Sequence, residues 1–361
     1  MNNSEIANLR LRNQGLSTTI FTTPADAVAQ LGAVQAQDYA GAKWALGQRL
    51  AGYTDAIMDK EFNAGRLLRT HILRPTWHFV TPADIHWMLL ISAPRVHALS
   101  AYYYRKAGLD SATFKRTNAV IAKVLQGGIQ LTRVEIASAL EQASIHTDGE
   151  LRLGYIMMHA ELDGLICSGA RKGKQFTYAL LEERAPQGKV WQREEALAEL
   201  VKRYFSTRGP ATLQDFTWWS GLTVADAKSG MEMNEAGFAS ENINGQTFWF
   251  REAKPASGTK TITAHLLPNY DEYFIGFKDR SAIGDAAAKV NFAANDPALF
   301  ANIILLNGQV VGGWKRTLKK DSVLVELKTI IDLTNKEKAA VEDAAEKFGA
   351  FLGMSPITAW K

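Results

Sequence analysis

Residues 128–181 read GIQLTRVEIASALEQASIHTDGELRLGYIMMHAELDGLICSGARKGKQFTYALL, and this segment contains every part of a winged-helix unit. Thr132 and Glu135 form a Thr-x-x-Glu capping box, in which each end side chain satisfies an unpaired backbone N–H and so starts a helix. The apolar spacing of residues 151–163 predicts a second helix. Two strand-like runs then flank a tip rich in glycine, which supplies the backbone freedom of a hairpin.

The predicted hairpin tip is basic, and this makes nucleic acid the first partner to consider. Its cations are Arg171, Lys172 and Lys174. A helix pair followed by a basic hairpin can place a helix in a DNA groove and a wing on phosphates. We therefore expect double-stranded DNA as the partner and these side chains as phosphate ligands. The alternative is a solvated hairpin on a winged helix that serves packing or protein contact.

The same capping chemistry organises the rest of the chain. Each Thr-x-x-Asp/Glu copy leads an apolar-periodic stretch and predicts a helix start. The copies are Thr23/Asp26, Thr81/Asp84, Thr132/Glu135, Thr212/Asp215, Thr223/Asp226 and Thr334/Glu337. The copies at 212 and 223 have helix-turn-helix spacing and precede a strand-like run at 246–250, so a second winged-helix-like unit is predicted over about 190–255.

Both ends of the chain are predicted to carry a further module. The N-terminal region is a looser third copy, with helices over 4–13, 23–37, 42–50 and 55–64, strands over 67–73 and 76–80, and a wing at Arg74-Pro75. The C-terminal region has short apolar strands at 264–267, 303–306, 309–312 and 323–327, and a final helix over 335–351. The predicted fold class is α+β and helix-rich, with tandem winged helix-turn-helix modules and an α+β C-terminal module. The expected module boundaries are 1–126, 127–187, 188–260 and 261–361.

The composition excludes several classes of protein. A chain of 361 residues that is 47% hydrophobic has material for more than one core. Its net charge of +4 is too mild for a histone-like polycation but fits a basic surface. The single cysteine, Cys167, excludes an intramolecular disulfide and favours a reducing compartment. Without a signal segment or a bilayer-length apolar run, we expect a cytoplasmic, nucleoid-associated monomer with no membrane contact.

Motifs for metals, cofactors and nucleophiles are missing from the sequence. The seven histidines never form His-x-x-x-His or a Cys/His cluster, which gives a zinc site little support. The P-loop, the dinucleotide-binding glycine pattern and the Gly-x-Ser-x-Gly elbow are missing as well. We expect no metal and no nucleotide cofactor.

Three strings have unusual polar content: VQAQD at 34–38, RTHILRPTWH at 69–78 and LLPNYDEY at 266–273. In this order, around tandem winged helices, they resemble the winged-helix DNA glycosylases of the azinomycin-resistance (AlkZ-like) family, essentially end to end. The resemblance implies three tandem winged helices that form a concave, positively charged DNA-binding surface. It also implies excision of alkylated purines, in some members from interstrand crosslinks.

The resemblance also implies the site residues. The family's catalytic motif is Gln, an apolar residue, then Gln or Asp, and Gln35-Ala36-Gln37 fits its double-glutamine form. Further motif positions are candidate DNA contacts, with structural hydrogen bonding as the alternative: Arg69, Arg74, Thr76 and His78, together with Lys278 and Arg280 in the C-terminal stretch. Asp271 is expected to brace the modules through an ion pair.

Amide chemistry suits one kind of lesion. A purine alkylated on N7 carries positive charge and leaves without a protein acid, so the protein need only orient a water toward C1′ and stabilise an oxocarbenium-like sugar. A glutamine carbonyl can accept a hydrogen bond from that water, although it cannot act as a conventional general base. On a regular helix Gln35 and Gln37 would face apart, whereas Gln35 and Asp38 would share a face. An amide–carboxylate site with Asp38 is therefore the alternative.

Two functions remain at this point. The first is a monofunctional DNA glycosylase, and the second is a non-catalytic winged-helix DNA-binding or regulatory protein. A regulator usually adds a dimerisation helix, and no heptad segment is visible in the sequence. The enzyme is therefore the preferred reading.

Overall fold

The fold is α+β and rich in helix. A computed structural model describes residues 1–149, 151–252, 262–284 and 301–361. The α-helices in these ranges are α1 (Asn3–Asn13), α2 (Pro24–Leu31), α3 (Tyr39–Gly47), α4 (Asp55–Asn63), α5 (Ile85–Lys106), α6 (Ser111–Leu125), α7 (Arg133–Gln142), α8 (Arg152–Leu162), α9 (Leu181–Arg184), α10 (Arg193–Arg208), α11 (Leu213–Ser220), α12 (Val224–Glu232), α13 (Glu272–Ile275) and α14 (Asn335–Leu352).

The β-strands in the same ranges are short in the N-terminal two thirds and longer near the C-terminus. They are β1 (Val34–Gln35), β2 (Leu68–His71), β3 (Trp77–Val80), β4 (Leu131–Thr132), β5 (Ile166–Ser168), β6 (Thr177–Leu180), β7 (Ala239–Ile243), β8 (Gln246–Phe250), β9 (Ala264–Leu267), β10 (Asn302–Leu306), β11 (Gln309–Leu318), β12 (Ser322–Thr329) and β13 (Ser355–Trp360).

The segment that opened the sequence analysis has the predicted order of elements. Strand β4 leads into α7, α8 follows, and β5 and β6 form the hairpin. The three strands make one antiparallel sheet in the order β4-β6-β5. At the start of α7, the Thr132 hydroxyl accepts the backbone N–H of Glu135, and the Glu135 carboxylate accepts the N–H of Thr132 at 2.7 Å. The local capping signal therefore formed as predicted.

Most of the other capping copies start a helix as predicted, and one does not. Thr23, Thr212, Thr223 and Thr334 are the N-cap residues of α2, α11, α12 and α14. Thr81, in contrast, bonds the Asp84 carboxylate at 2.6 Å in a turn that precedes α5. That helix begins only at Ile85, because Asp84 uses its carboxylate to bind the Thr81 hydroxyl, the Trp87 indole and Arg203.

The prediction of a helix over 23–37 was wrong at its C-terminal end. Helix α2 ends at Leu31, where Gly32 adopts a φ of 80° that favours glycine. The chain then enters β1, which pairs with β3 in a sheet of order β1-β3-β2. The catalytic motif of the resemblance therefore begins in a strand and ends in the bend after it, not on a helix.

The C-terminal region forms one five-stranded sheet in the order β13-β12-β11-β10-β9. Helix α14 packs on it through Val341, Ala345 and Phe348, which are buried. Strand β11 is longer than predicted, running to Leu318, and β13 was not predicted at all. It pairs in parallel with β12.

Buried ion pairs connect parts of the chain that are distant in sequence. Arg49 on the loop after α3 binds the Asp271 carboxylate through two bonds of 2.8 Å, and both side chains are almost fully buried. Arg208 at the end of α10 binds Glu272 at 2.6 Å, with both groups again buried. Within the described ranges, none of the helices combines the length and apolar character that a membrane span requires.

We expect Asp271→Ala to lower the free energy of unfolding by about 3–5 kcal/mol, because it leaves the Arg49 guanidinium buried without its counter-charge. Urea denaturation followed by circular dichroism measures this change. Arg66→Ala is the control, since its ion pair with Glu61 is on the surface, and it should leave the denaturation midpoint almost unchanged. Equal midpoints for the two variants would show that the buried pair braces nothing.

Candidate active site

The motif Gln35-Ala36-Gln37 lies along one edge of the β1-β3-β2 sheet. Gln35 pairs with His78 across the strands, and the Ala36 N–H donates to the Trp77 carbonyl at 2.7 Å. Strand β1 ends at Gln35, and Gln37 lies in the bend that follows it. Gln35 is 7% exposed, whereas Gln37 is exposed.

Arg74, at the tip between β2 and β3, fixes the Gln35 amide. Its Nη2 donates to Gln35 Oε1 at 2.8 Å, and a longer contact of 3.5 Å reaches the Trp218 carbonyl on α11. Burial lowers the pKa of Arg74. The Gln37 carbonyl has a weaker contact, 3.4 Å from the Trp77 N–H. Gln35 is thus held by a cation, while Gln37 keeps an accessible amide.

Unpartnered polar groups concentrate beside this amide. Arg74 Nε, Thr76 Oγ1 and His78 Nε2 are buried and have no hydrogen-bond partner. His78 Nδ1 lies 2.9 Å from the Thr76 carbonyl, so Nδ1 carries the proton and Nε2 is left as an acceptor. Burial, with Arg74 nearby, holds the pKa of His78 well below its ordinary value. Buried polar groups are normally satisfied, so several orphans within five residues mark a functional site.

A buried carboxylate supports the motif from behind. Glu272 Oε1 accepts the Gln35 backbone N–H at 2.8 Å, and Oε2 accepts bonds from Arg208 at 2.6 Å and the Trp219 indole at 2.9 Å. The sequence analysis singled out the string at 266–273 but assigned no role to Glu272 within it. The available signal was the pair of adjacent acids, Asp271 and Glu272, in a largely apolar string.

Asp38 is engaged elsewhere and does not share a helical face with Gln35. Its carboxylate accepts the Gly41 N–H at 3.0 Å as the N-cap of α3, and the other oxygen lies 3.4 Å from the Arg316 guanidinium of β11. The geometric argument for an amide–carboxylate site required a helix through 35–38, and that helix is not formed.

Arg69 is not placed to contact DNA. It is 7% exposed, its Nε donates to the Ala36 carbonyl at 3.0 Å, and its guanidinium lies between the rings of Trp77 and Phe176 at 4.3 and 4.4 Å. Burial lowers its pKa to about 10. The prediction of a phosphate contact is therefore replaced by a structural role, in which Arg69 holds the middle residue of the motif.

The cations of the hairpin tip differ in availability. Arg171 is largely covered: it lies over Tyr39 at 4.9 Å and donates to the Lys174 carbonyl at 2.8 Å. Lys172 is exposed and forms an ion pair with Glu135 at 2.8 Å. Lys174 is exposed as well. The two lysines are thus better placed for phosphate than the arginine.

The two remaining predicted DNA contacts, Lys278 and Arg280, differ in whether their side chains are free to reach a ligand. Lys278 is exposed, with its backbone N–H bound to the buried Asp215 carboxylate at 2.9 Å. Arg280 is folded back: its Nε donates to the Phe274 carbonyl at 3.0 Å and its guanidinium lies 4.4 Å from the Phe274 ring. Arg280 is therefore directed to its own segment rather than to a ligand.

A basic hairpin that the sequence analysis missed contacts Asp38 through its base. Strands β11 and β12 meet at a tip whose residues Leu318, Lys319 and Lys320 are exposed. Arg316 at its base makes the contact with Asp38 already described. The signal was the run KRTLKK at 315–320, which combines an exposed apolar side chain with cations.

The low pKa of His78 predicts how the stability of the fold depends on pH. Folded His78 stays neutral, whereas the unfolded chain takes up a proton below about pH 6.5, so stability is lost as pH falls through that value. The variant His78→Gln, whose side chain does not titrate, should therefore lose up to about 2 kcal/mol less of its free energy of unfolding than the wild type between pH 6.5 and 5. Urea unfolding across this pH range measures the change. Exposed His146→Gln is the matched control, and a wild-type pH dependence in His78→Gln would contradict the assignment.

Comparisons with known proteins agree on one family. The family described as "DNA glycosylase AlkZ-like" matches residues 28–351. The "Interstrand DNA cross-link repair glycosylase" of Streptomyces sahachiroi is 23% identical over 323 residues, which is 85% of this chain and 85% of the relative. The solved structure of the Streptomyces sahachiroi DNA glycosylase AlkZ covers 100% of both chains, with a TM-score of 0.81 and 19% identity. The latter similarity shows a shared fold.

Proposed function

The chain belongs to the AlkZ-like DNA glycosylase family and is a DNA repair glycosylase, and we propose that it excises cationic, N7-alkylated purines from double-stranded DNA. The observation that carries this proposal is the pair of glutamines at the end of β1, with Gln35 held by Arg74 and Gln37 accessible. Purines within interstrand crosslinks are included as substrates, as the name of the Streptomyces relative suggests.

In the proposed reaction the Gln37 carbonyl accepts a hydrogen bond from a water and directs its oxygen toward C1′. As the C1′–N9 bond breaks, its electron pair neutralises the cationic base, and the water oxygen forms the new bond to C1′. The water then loses its proton to solvent. The negative end of the Gln37 amide dipole stabilises the positive sugar. A neutral base would leave with negative charge, and the described site offers no acid beside Gln37 to protonate it.

The unpartnered groups beside Gln35 are proposed to receive the flipped nucleotide. Neutral His78 offers an acceptor and Thr76 offers a hydroxyl, while Arg74 retains a free Nε–H. Trp77 is half-buried and Trp218 is 47% exposed. Their rings offer aromatic surface for the flipped base or for the gap that it leaves in the DNA stack. These groups border the motif in one patch, since Arg74 contacts both Gln35 and Trp218.

The phosphate contacts are proposed to come from exposed cations on separate hairpins. Lys172 and Lys174 lie on the β5–β6 hairpin, and Lys319 and Lys320 on the β11–β12 hairpin, with Lys278 as a further contact. The second hairpin is linked through Arg316 to Asp38, the residue after the motif, which supports this assignment. The protein is proposed to act as a monomer.

Gln37→Ala should slow excision by about ten- to a thousandfold, the range expected when a positioned polar group is lost (about 1.4–4 kcal/mol). Gln35→Ala should slow excision within the same range, because the amide that Arg74 holds next to Gln37 is then removed. Release of N7-methylguanine from methylated duplex DNA, in single-turnover conditions, measures both. Gln37→Asp should keep substantial activity if an acceptor for water is what matters.

The matched control is Gln30→Ala, an amide on α2 that bonds Asp26 away from the motif, and it should excise at the wild-type rate. No release by the wild-type protein would favour the non-catalytic DNA-binding alternative. Loss of excision in Asp38→Ala together with a neutral Gln37→Ala would move the water-orienting role to the carboxylate.

Binding to undamaged duplex should be independent of sequence and should weaken steeply with salt, because phosphate contacts release counterions. Replacing Lys172 and Lys174 by Ala should flatten the slope of log affinity against log salt by about one to two units. Fluorescence anisotropy over a salt series measures the slope. Lys336→Ala with Lys338→Ala, at the start of α14 outside the proposed surface, is the control. An unchanged slope in the first pair would remove the β5–β6 hairpin from the DNA interface.

A further inference from the structure

Two histidines and one aspartate converge on a site outside the glycosylase motif. His97 lies on α5, His159 on α8, and Asp163 one residue beyond the end of α8. Asp163 Oδ1 is 3.3 Å from His97 Nε2, and its Oδ2 is 3.0 Å from His159 Nδ1. One ligand atom from each residue lies within 4.8 Å of the other two. The cluster is formed by spatial approach of two helices, which spacing along the sequence did not reveal.

Outer contacts orient the three side chains. The Tyr104 hydroxyl lies 3.3 Å from His97 Nδ1, which leaves the Nε2 of that ring toward Asp163. The Asn118 amide donates to Asp163 Oδ2 at 2.9 Å. The His159 ring is stacked on Phe114 with 3.6 Å between centroids. Support of this kind, in which the second nitrogen of a histidine is held by a polar group, is typical of metal ligands.

The His159 and Asp163 side chains are close, but their contact has poor hydrogen-bond geometry. His159 Nδ1 is buried and has no hydrogen-bond partner, despite the carboxylate oxygen 3.0 Å away. A buried nitrogen lone pair without a donor is costly unless another group occupies it. A cation held between the two residues would use the lone pairs of both at once.

We propose that His97, His159 and Asp163 bind a divalent transition-metal ion, with Zn²⁺ as the expected occupant. Imidazole nitrogen and carboxylate oxygen bind Zn²⁺ at about 2.0–2.2 Å, so tetrahedral ligand atoms lie about 3.4 Å apart. Asp163 presents a different oxygen to each histidine, at 3.3 and 3.0 Å, and one atom from each of the three residues lies within 4.8 Å of the other two, so a modest side-chain rotation brings them to that spacing. Asp163 and His159 also line a cavity of about 550 Å³, which leaves room for a fourth ligand such as water.

The position of the site gives a bound ion a structural role. Helix α5 packs against α8 and α10, and α8 precedes the β5–β6 hairpin in the chain. An ion shared by the two helices would fix that hairpin relative to the long helix α5. The cations Arg105 and Lys115 line the same cavity, so the single carboxylate is essential for binding a positive ion there.

Zn²⁺ titration of tag-free, chelator-treated protein by calorimetry tests the proposal. We expect one equivalent per chain in the wild-type protein. Loss of even an outer-shell partner costs about 10–100-fold in affinity, so His97→Ala and Asp163→Asn should each weaken binding by at least about tenfold. His146→Ala, which removes an exposed histidine near Glu141, is the matched control and should bind as the wild type does.

A second readout separates a metal site from a plain ion-pair network. Co²⁺ should show visible absorption of a low-symmetry site in the wild type and in His146→Ala, but not in His97→Ala, whose half-exposed ring makes the variant the safest to fold. No Zn²⁺ binding by the wild type, or binding that all variants share, would overturn the proposal. Base excision plays no part in these measurements, so the proposal stands or falls independently of the proposed function.

Discussion

The carboxylate of Glu272 is the constraint on which the candidate site depends. It accepts the Gln35 backbone N–H, the Arg208 guanidinium and the Trp219 indole, so it joins β1 to α10 and α11. A buried carboxylate is tolerated only when its charge is paired and its lone pairs are occupied, and here both conditions are met. Because Arg208 also donates to the Leu31 and Ala33 carbonyls, the same ion pair fixes the chain on the N-terminal side of the motif. The position of Gln35 therefore follows from a charge pair formed by residues more than 170 positions away from it.

Local signals in the sequence predicted helix starts well, because a cap is decided within four residues. Thr132 and Thr334 needed only their own neighbours to begin α7 and α14. The strand at 34–35 was missed for the opposite reason. A two-residue strand has no periodicity of its own, and β1 exists because β3, more than 40 residues later, supplies its hydrogen bonds. Strand β13 depends on β12 in the same way.

The site residues show the same division between local and distant causes. The family resemblance identified Gln35 and Gln37, but the fate of each cation was set by tertiary contacts. Arg69 and Arg171 both face Phe176, at 4.4 and 5.1 Å from its ring, and this aromatic surface holds charges that the sequence suggested were free for phosphate. The spacing of the histidines along the sequence showed no metal-binding motif, but it could not show that His97 and His159 lie together in space. Side chains on separate helices become one cluster only through the packing of the core between them.

The distribution of charge around the motif bears on the substrate. In the described part of the chain, the carboxylates nearest the two glutamines are already engaged: Glu272 by Arg208, and Asp38 by the α3 terminus and Arg316. The other groups beside the motif are neutral or positive, namely two amides, an unprotonated imidazole, a hydroxyl and the Arg74 edge. Such a set has no acid suited to protonating a departing base, and its imidazole is a weak base because burial holds the pKa of His78 well below its ordinary value. It is consistent with a substrate that brings its own positive charge, since a cationic purine needs neither. We infer that the site performs its chemistry by position and dipole, and that the lesion supplies the driving force.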